Sequence, residues 1–148
     1  MTPHARTLEA APTLTTVVDL DEIHANQDGL TITIIGEAVD GSSVDISLFF
    51  SEVIGLRYLD ETDLLEFWPA CSLMNGWLYE IISGGWRFLE STREGFSSRS
   101  VPFHREFFVA TRNACINVMA KSEPTLTWHS TSLSPVAGRC AIKPRSAG

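Results

Sequence analysis

Two runs of alternating residues, Leu30–Ile35 (LTITII) and Val44–Phe50 (VDISLFF), stand on either side of the pair Asp40-Gly41. Strict alternation with β-branched residues describes a strand with one buried face, and Asp-Gly between two such runs is a strong hairpin signal. A third run precedes them. Leu14, Thr16, Val18 and Leu20 alternate with Thr15, Val17 and Asp19, and the turn-forming Asn26-Gln27-Asp28-Gly29 ends the segment. These runs make an antiparallel meander the organising element of the chain.

Val53–Leu59 (VIGLRYL) reads as a further strand, with Gly55 marking a bulge or a close backbone approach. Asp60-Glu61-Thr62-Asp63 then has the composition of a helix start. Asp60 is placed to cap free amides, and Glu61 and Asp63 suit the positive end of the dipole. Leu64, Leu65, Phe67 and Trp68 give that short helix an apolar side, and Pro69 limits it. The stretch YEIISGGWRFLE (79–90) reads as strand, Gly84-Gly85 turn and strand, because two adjacent glycines inside a helix cost about 2 kcal/mol. That register places Glu80 and Arg87 on one face as a cross-strand pair. His104–Thr111 and Cys115–Ala120, joined by Arg112-Asn113-Ala114, read as a second hairpin, with one amphipathic helix from 105 to 121 as the alternative. Pro124–Ser130 supplies an edge strand.

The expected fold is therefore α+β: an antiparallel sheet of successive hairpins with one or two short helices. Residues 1–131 form one globular domain with 1–12 as a loose lead-in, and Ser-, Pro-, Ala- and Gly-rich 132–148 as a flexible tail. With 44% apolar and 20% charged residues in 148, the chain is long enough and apolar enough to bury its own core. No apolar run reaches the roughly 18–20 residues of a membrane span, and the N-terminus lacks a secretory h-region. Cys71, Cys115 and Cys140 are widely spaced and odd in number, which suits reduced thiols in a cytoplasmic protein rather than a disulfide framework.

Net charge is −7, and residues 1–86 carry 14 acids against two bases while residues 87–148 carry four acids against nine. That asymmetry implies either internal charge complementarity or two faces of different sign. An acidic chain without a basic stripe is a poor nucleic-acid binder.

The chemical motifs fail one by one. Around Ser83 the chain lacks G-x-S-x-G, and it has no lysine before Lys121 with which to build a Walker loop. His104-Arg105-Glu106 matches the H-x-E half of a zinc deaminase, but P-C-x-x-C is missing. The four histidines form no ligand pair, so no metal or cofactor is expected. Cys115 with His104 would be a thiol–imidazole pair only if the second hairpin brought them together; a buried, inert cysteine is the commoner outcome. Glu80 and Glu90 fall on opposite faces of the expected first hairpin, against a glycosidase pair. No enzyme is expected.

What remains is recognition. Asp60, Glu61, Asp63 and Glu66 cluster beside Phe67 and Trp68, and Asp19, Asp21, Glu22 and Asp28 form a second acidic stretch. Carboxylates beside an aromatic anchor such as Trp68 suit a basic protein partner. A solvated helix face over two core aromatics is the plainer reading. The alternative functional class is a small-molecule site or small enzyme lined by Trp77, Tyr79, Glu80 and Trp86.

In the stretches GLRYLDETDLLEFWP, GWLYEIISGGWRFLE and REFFVATRNACINVMA, about a third of its length, the chain resembles the immunity proteins that accompany bacterial polymorphic toxins. The resemblance implies a small α+β domain that neutralises a toxin by plugging or masking it, often over a basic active-site surface. The acidic residues are then the first candidates for contact. Nothing in the sequence assigns an oligomeric state.

Overall fold

A computed structural model of the chain describes residues 2–60, 65–100 and 104–131. Nine strands are described: β1 (His4–Thr7), β2 (Val18–Asn26), β3 (Gly29–Glu37), β4 (Ser43–Phe50), β5 (Val53–Leu59), β6 (Leu78–Ser83), β7 (Arg105–Ala110), β8 (Cys115–Ala120) and β9 (Thr125–Thr131). One α-helix, α1 (Trp86–Ser91), and 3-10 structure at 65–67 and Ser97–Ser100 are also described. Every strand pair is antiparallel, in a five-stranded sheet ordered β1-β6-β7-β8-β5 and a four-stranded sheet ordered β2-β3-β4-β9.

The two sheets pack face to face. From the smaller sheet come Leu30, Ile32, Ile34, Ile46, Leu48 and Phe50; from the larger come Leu78, Phe107, Val109, Ile116 and Val118, all essentially buried in one cluster. Phe50 meets Phe107 across the gap with ring centroids 5.6 Å apart. The period of two read from the sequence is thus the period of this core.

A bulge between Leu20 and Glu22 changes the phase of β2, so that Leu20 and Ile23, three residues apart, both face Ile34 and Ile32 of β3. The sheets are tied at this end by the β7–β8 turn. The Arg112 amide donates to the Val18 carbonyl, the Leu20 amide donates to Asn113 Oδ1, and the Arg112 guanidinium pairs with Asp19 at 2.7 Å. Arg112–Asp19, Arg105–Glu80 and Lys121–Glu52 each join a base from the second half of the chain to an acid from the first. Part of the charge asymmetry is therefore internal complementarity.

The larger sheet has a second covered face. Phe67 stacks on Phe108 with centroids 4.8 Å apart, and Cys71, Tyr79, Ile81, Ala110 and Cys115 complete this smaller core. Residues 65–75 lie over it through Phe67, Cys71 and Leu73, and the Tyr79 hydroxyl donates to the Ser72 carbonyl.

Several sequence expectations need correcting. The fold is mostly antiparallel sheet with very little helix, so the α+β label holds only loosely. It is also not a simple run of successive hairpins, since β5 pairs with β8 and β9 with β4. The Gly84-Gly85 turn does not join two strands, because Trp86–Ser91 is helical. Glu80 accordingly meets Arg6 and Arg105 rather than Arg87. The lead-in contains a strand, β1, whose unpatterned His4–Thr7 is held by pairing with β6. Strand β2 starts at Val18 rather than Leu14, and the second hairpin forms as β7 and β8 rather than as a helix. Of the expected helix start at 60–63 only Asp60 is described, and the tail at 132–148 lies outside the described residues.

Candidate functional site

The outer face of the larger sheet carries a buried polar network. Glu106 points there from β7, only 3% exposed, among Ile81, Phe108 and Asn117. Its Oε2 accepts from the Trp86 amide at 2.9 Å and from Asn117 Nδ2 at 2.8 Å, and its Oε1 accepts from the Arg87 amide at 2.8 Å. Those two amides open α1, which no residue of the preceding turn caps. Strand β7 therefore supplies the cap. Burial pushes the Glu106 carboxyl above its ordinary value, while the two amides, Asn117 and Arg57 act in the opposite direction.

Arg57 reaches the same network from β5. Its Nε and Nη2 donate to Asn117 Oδ1 at 3.2 and 3.0 Å, and its guanidinium lies 5.7 Å from the Phe67 ring centre and 5.4 Å from that of Trp86. The Trp86 ring covers Gly55, where a Cβ would sit 3.1 Å from it, and its Nε1 donates to Glu90. Together these contacts hold α1 and the β5 end of the sheet as one unit. The network binds the protein to itself, and every oxygen of Glu106 is already engaged.

A second charged cluster lies at the rim of the sandwich core. Glu80 accepts from Arg6 Nη2 at 2.6 Å, from Arg105 Nε at 2.7 Å and from Arg105 Nη2 at 2.8 Å, and Arg105 also reaches Glu123. Its hydrogen bond with Arg105, and then Arg6, holds the Glu80 carboxyl below the usual carboxylate range. An open groove of about 480 Å³ runs from this cluster past Ser83 and Gly84 to His104 and α1. Its two carboxylates, Glu80 and Glu106, are both saturated by internal donors.

The residues suggested as a small-molecule pocket do not converge. Trp77 is buried in the sandwich core with its Nε1 donating to the Pro12 carbonyl, Tyr79 is buried on the opposite face of β6, Glu80 is ion-paired, and Trp86 lies over Gly55. The hairpin also keeps Cys115 and His104 apart: Cys115 pairs with Ala110 at one end, while His104 precedes Arg105, which pairs with Ala120 at the other. In His104-Arg105-Glu106, Arg105 and Glu106 leave opposite faces of the sheet. No group of three or more metal-ligating side chains occurs among the described residues.

The partner-binding candidates occupy the β5 side of the molecule. Asp60 is exposed at the end of β5, Glu66 is exposed in the turn that follows, and Glu61 and Asp63 lie outside the described residues. Trp68 is only partly exposed and packs against the outer core, which weakens it as an anchor. The exposed apolar groups here are ones the sequence did not single out. Leu56 is 38% exposed and Tyr58 54% on the strand that ends at Asp60, and Leu65, next to Glu66 in the chain, is 66% exposed. Leu56 and Tyr58 share a face with the buried Val118 and Ile116 of β8, yet β5 overhangs the smaller sheet and leaves them uncovered. VIGLRYL shows the composition of a strand, but which face lacks a covering sheet is a property of topology.

Comparison with protein-family models, with curated proteins and with solved structures finds no match.

Proposed function

We propose that the chain is a non-enzymatic protein-binding module, an immunity-type domain that neutralises a bacterial toxin by covering a basic surface of it. One observation carries this reading: Leu56 and Tyr58 are exposed on one face of β5, and the strand ends at the exposed acid Asp60. Apolar groups provide affinity once desolvated, and surrounding charges steer encounter and choose the sign of the partner. The saturated carboxylates of Glu80 and Glu106 favour this reading over the small-molecule one, since neither offers a free acid or base to a ligand. Cytoplasmic residence belongs to the same proposal and agrees with Cys71 and Cys115 being buried without a disulfide.

The test is affinity capture of a partner from the source organism, followed by binding measured across a salt series. A basic toxin domain should be retained, its affinity falling with salt, and the double substitution Asp60→Lys, Glu66→Lys should weaken it about tenfold or more. A partner whose binding ignores both salt and that double substitution overturns the assignment of this surface. Failure to retain any basic protein overturns the function.

A further inference from the structure

We infer that the partner binds by strand addition: a basic, extended segment pairs with the open edge of β5. The inference rests on the protein-binding reading and adds the conformation of the partner and its mode of docking.

Among the described residues β5 pairs only with β8, leaving one side of its backbone open at the end of the five-stranded sheet. Natural edge strands are usually guarded by lysines, prolines, inward charges or a central bulge. The strand VIGLRYL has one charged residue, Arg57, and it guards nothing. Its guanidinium is drawn onto the covered face, against Phe67 and Trp86 and bonded to Asn117. The bulge lies at the start of the strand, between Val53 and Gly55, so Gly55–Leu59 runs in unbroken register. Leu56 and Tyr58 alternate along that stretch, uncovered, where the side chains of an added strand would lie beside them.

Charge selects the occupant. Glu52, Asp60 and Glu66 flank the strand. Glu52 is paired with Lys121, so the acids that set the sign here are Asp60 and Glu66. A second copy of this chain would bring the same acids to the contact and be repelled. A basic segment would not. Of the other edges, β1 has four residues and β2 is bulged in its middle; β9, where Trp128 is 49% exposed, is the remaining rival, and amide shifts distinguish it from β5.

The probe is a capped heptapeptide of alternating lysine and valine, with its glutamate–valine counterpart and an N-methylated lysine–valine version as controls. Each is added to the ¹⁵N-labelled full chain. Lysine–valine peptide should shift the amides of Gly55–Leu59 and slow their hydrogen exchange, while both controls should do neither. Leu56→Lys, with an unchanged melting temperature, should weaken this binding about tenfold. Amide shifts confined to β1 or β9, or equal binding of the N-methylated peptide, overturn the inference. A captured basic protein held equally by wild type and Leu56→Lys overturns strand addition while leaving the protein-binding reading intact. If the peptide pairs with β5 but no basic protein is retained from the source organism, the edge stands and the function falls.

Discussion

The carboxylate of Glu106 fills the space that a side chain at position 85 would need. A Cβ on Gly85 would lie 2.7 Å from Oε2 and 2.8 Å from Oε1, and 2.6 Å from Cγ2 of Ile81. The preceding Gly84 has a different requirement, a φ of 74° in the left-handed region.

These two glycines should therefore fail differently. Gly85→Ala meets buried atoms on two sides and should cost about 1–3 kcal/mol, whereas Gly84→Ala carries backbone strain of about 1–2 kcal/mol. Urea denaturation of both variants compares them. The Gly85→Ala loss should also be strongly non-additive with Glu106→Gln, because the second change alters the group the first collides with. Additive losses would mean that Ile81, not Glu106, sets the limit.

Glu106→Gln removes a charged acceptor that faces three donors, and should cost about 1–3 kcal/mol. The pH dependence gives the sharper test. Burial raises the Glu106 carboxyl, so the folded chain holds that proton more tightly than the unfolded chain does. Its contribution is therefore complete below the ordinary carboxylate range and declines as pH rises through the raised folded value. The gap between wild type and Glu106→Gln should narrow from acid towards neutral pH. A gap that widens instead would show the amide and Asn117 hydrogen bonds outweighing burial.

Glu80 behaves in the opposite sense. Arg105 and Arg6 depress its pKa, so its contribution is present above the ordinary carboxylate range and lost as pH falls through the depressed folded value. Glu80→Gln should be about 1–3 kcal/mol less stable at neutral pH and should converge with wild type in acid. Each arginine makes two hydrogen bonds to Glu80, but Arg105→Ala should cost more than Arg6→Ala, since Arg105 also reaches Glu123 and its side chain is 31% exposed against 61% for Arg6.

Cys71 is fully buried and its thiol is pushed up to about 12, chiefly by burial. Thiolate is the reactive form, so a maleimide reagent at pH 8 should leave Cys71 and the buried Cys115 unmodified in the native state and label both in denaturant. Peptide-resolved mass spectrometry reads each site. Rapid native labelling of Cys71 would mean that residues 65–75 open readily.

The meander β2-β3-β4 was legible because Ile32, Ile34, Ile46 and Leu48 carry their burial in their spacing, whereas β7 and β8, buried on both faces, show no alternation and left a helix open as the alternative. Strand β1 was not legible, since nothing in HART alternates and β6 alone makes it a strand. Helix α1 was misread for a related reason. Six residues after two glycines do not form a stable helix by themselves; this one depends on Glu106, some 20 positions away in sequence. The candidate surface was half legible. Asp60 and Glu66 stood out as acids, but the exposure of Leu56 and Tyr58 follows from an overhang that no local pattern records.

The order of strands has a consequence in time. Strand β4 must wait for β9, β1 for β6 and β5 for β8, so the larger sheet is incomplete until β8 has been made and the smaller until β9 has. At a synthesis rate of about 5–20 residues per second, β4 leaves the peptidyl-transferase centre roughly 4–15 s before β9 begins to be added. Throughout that interval the nascent chain carries an unsatisfied apolar ladder that its own sequence cannot yet close. Pairings of such long range also slow folding once synthesis is over. A cell making this protein quickly would need chaperones to keep those early strands apart.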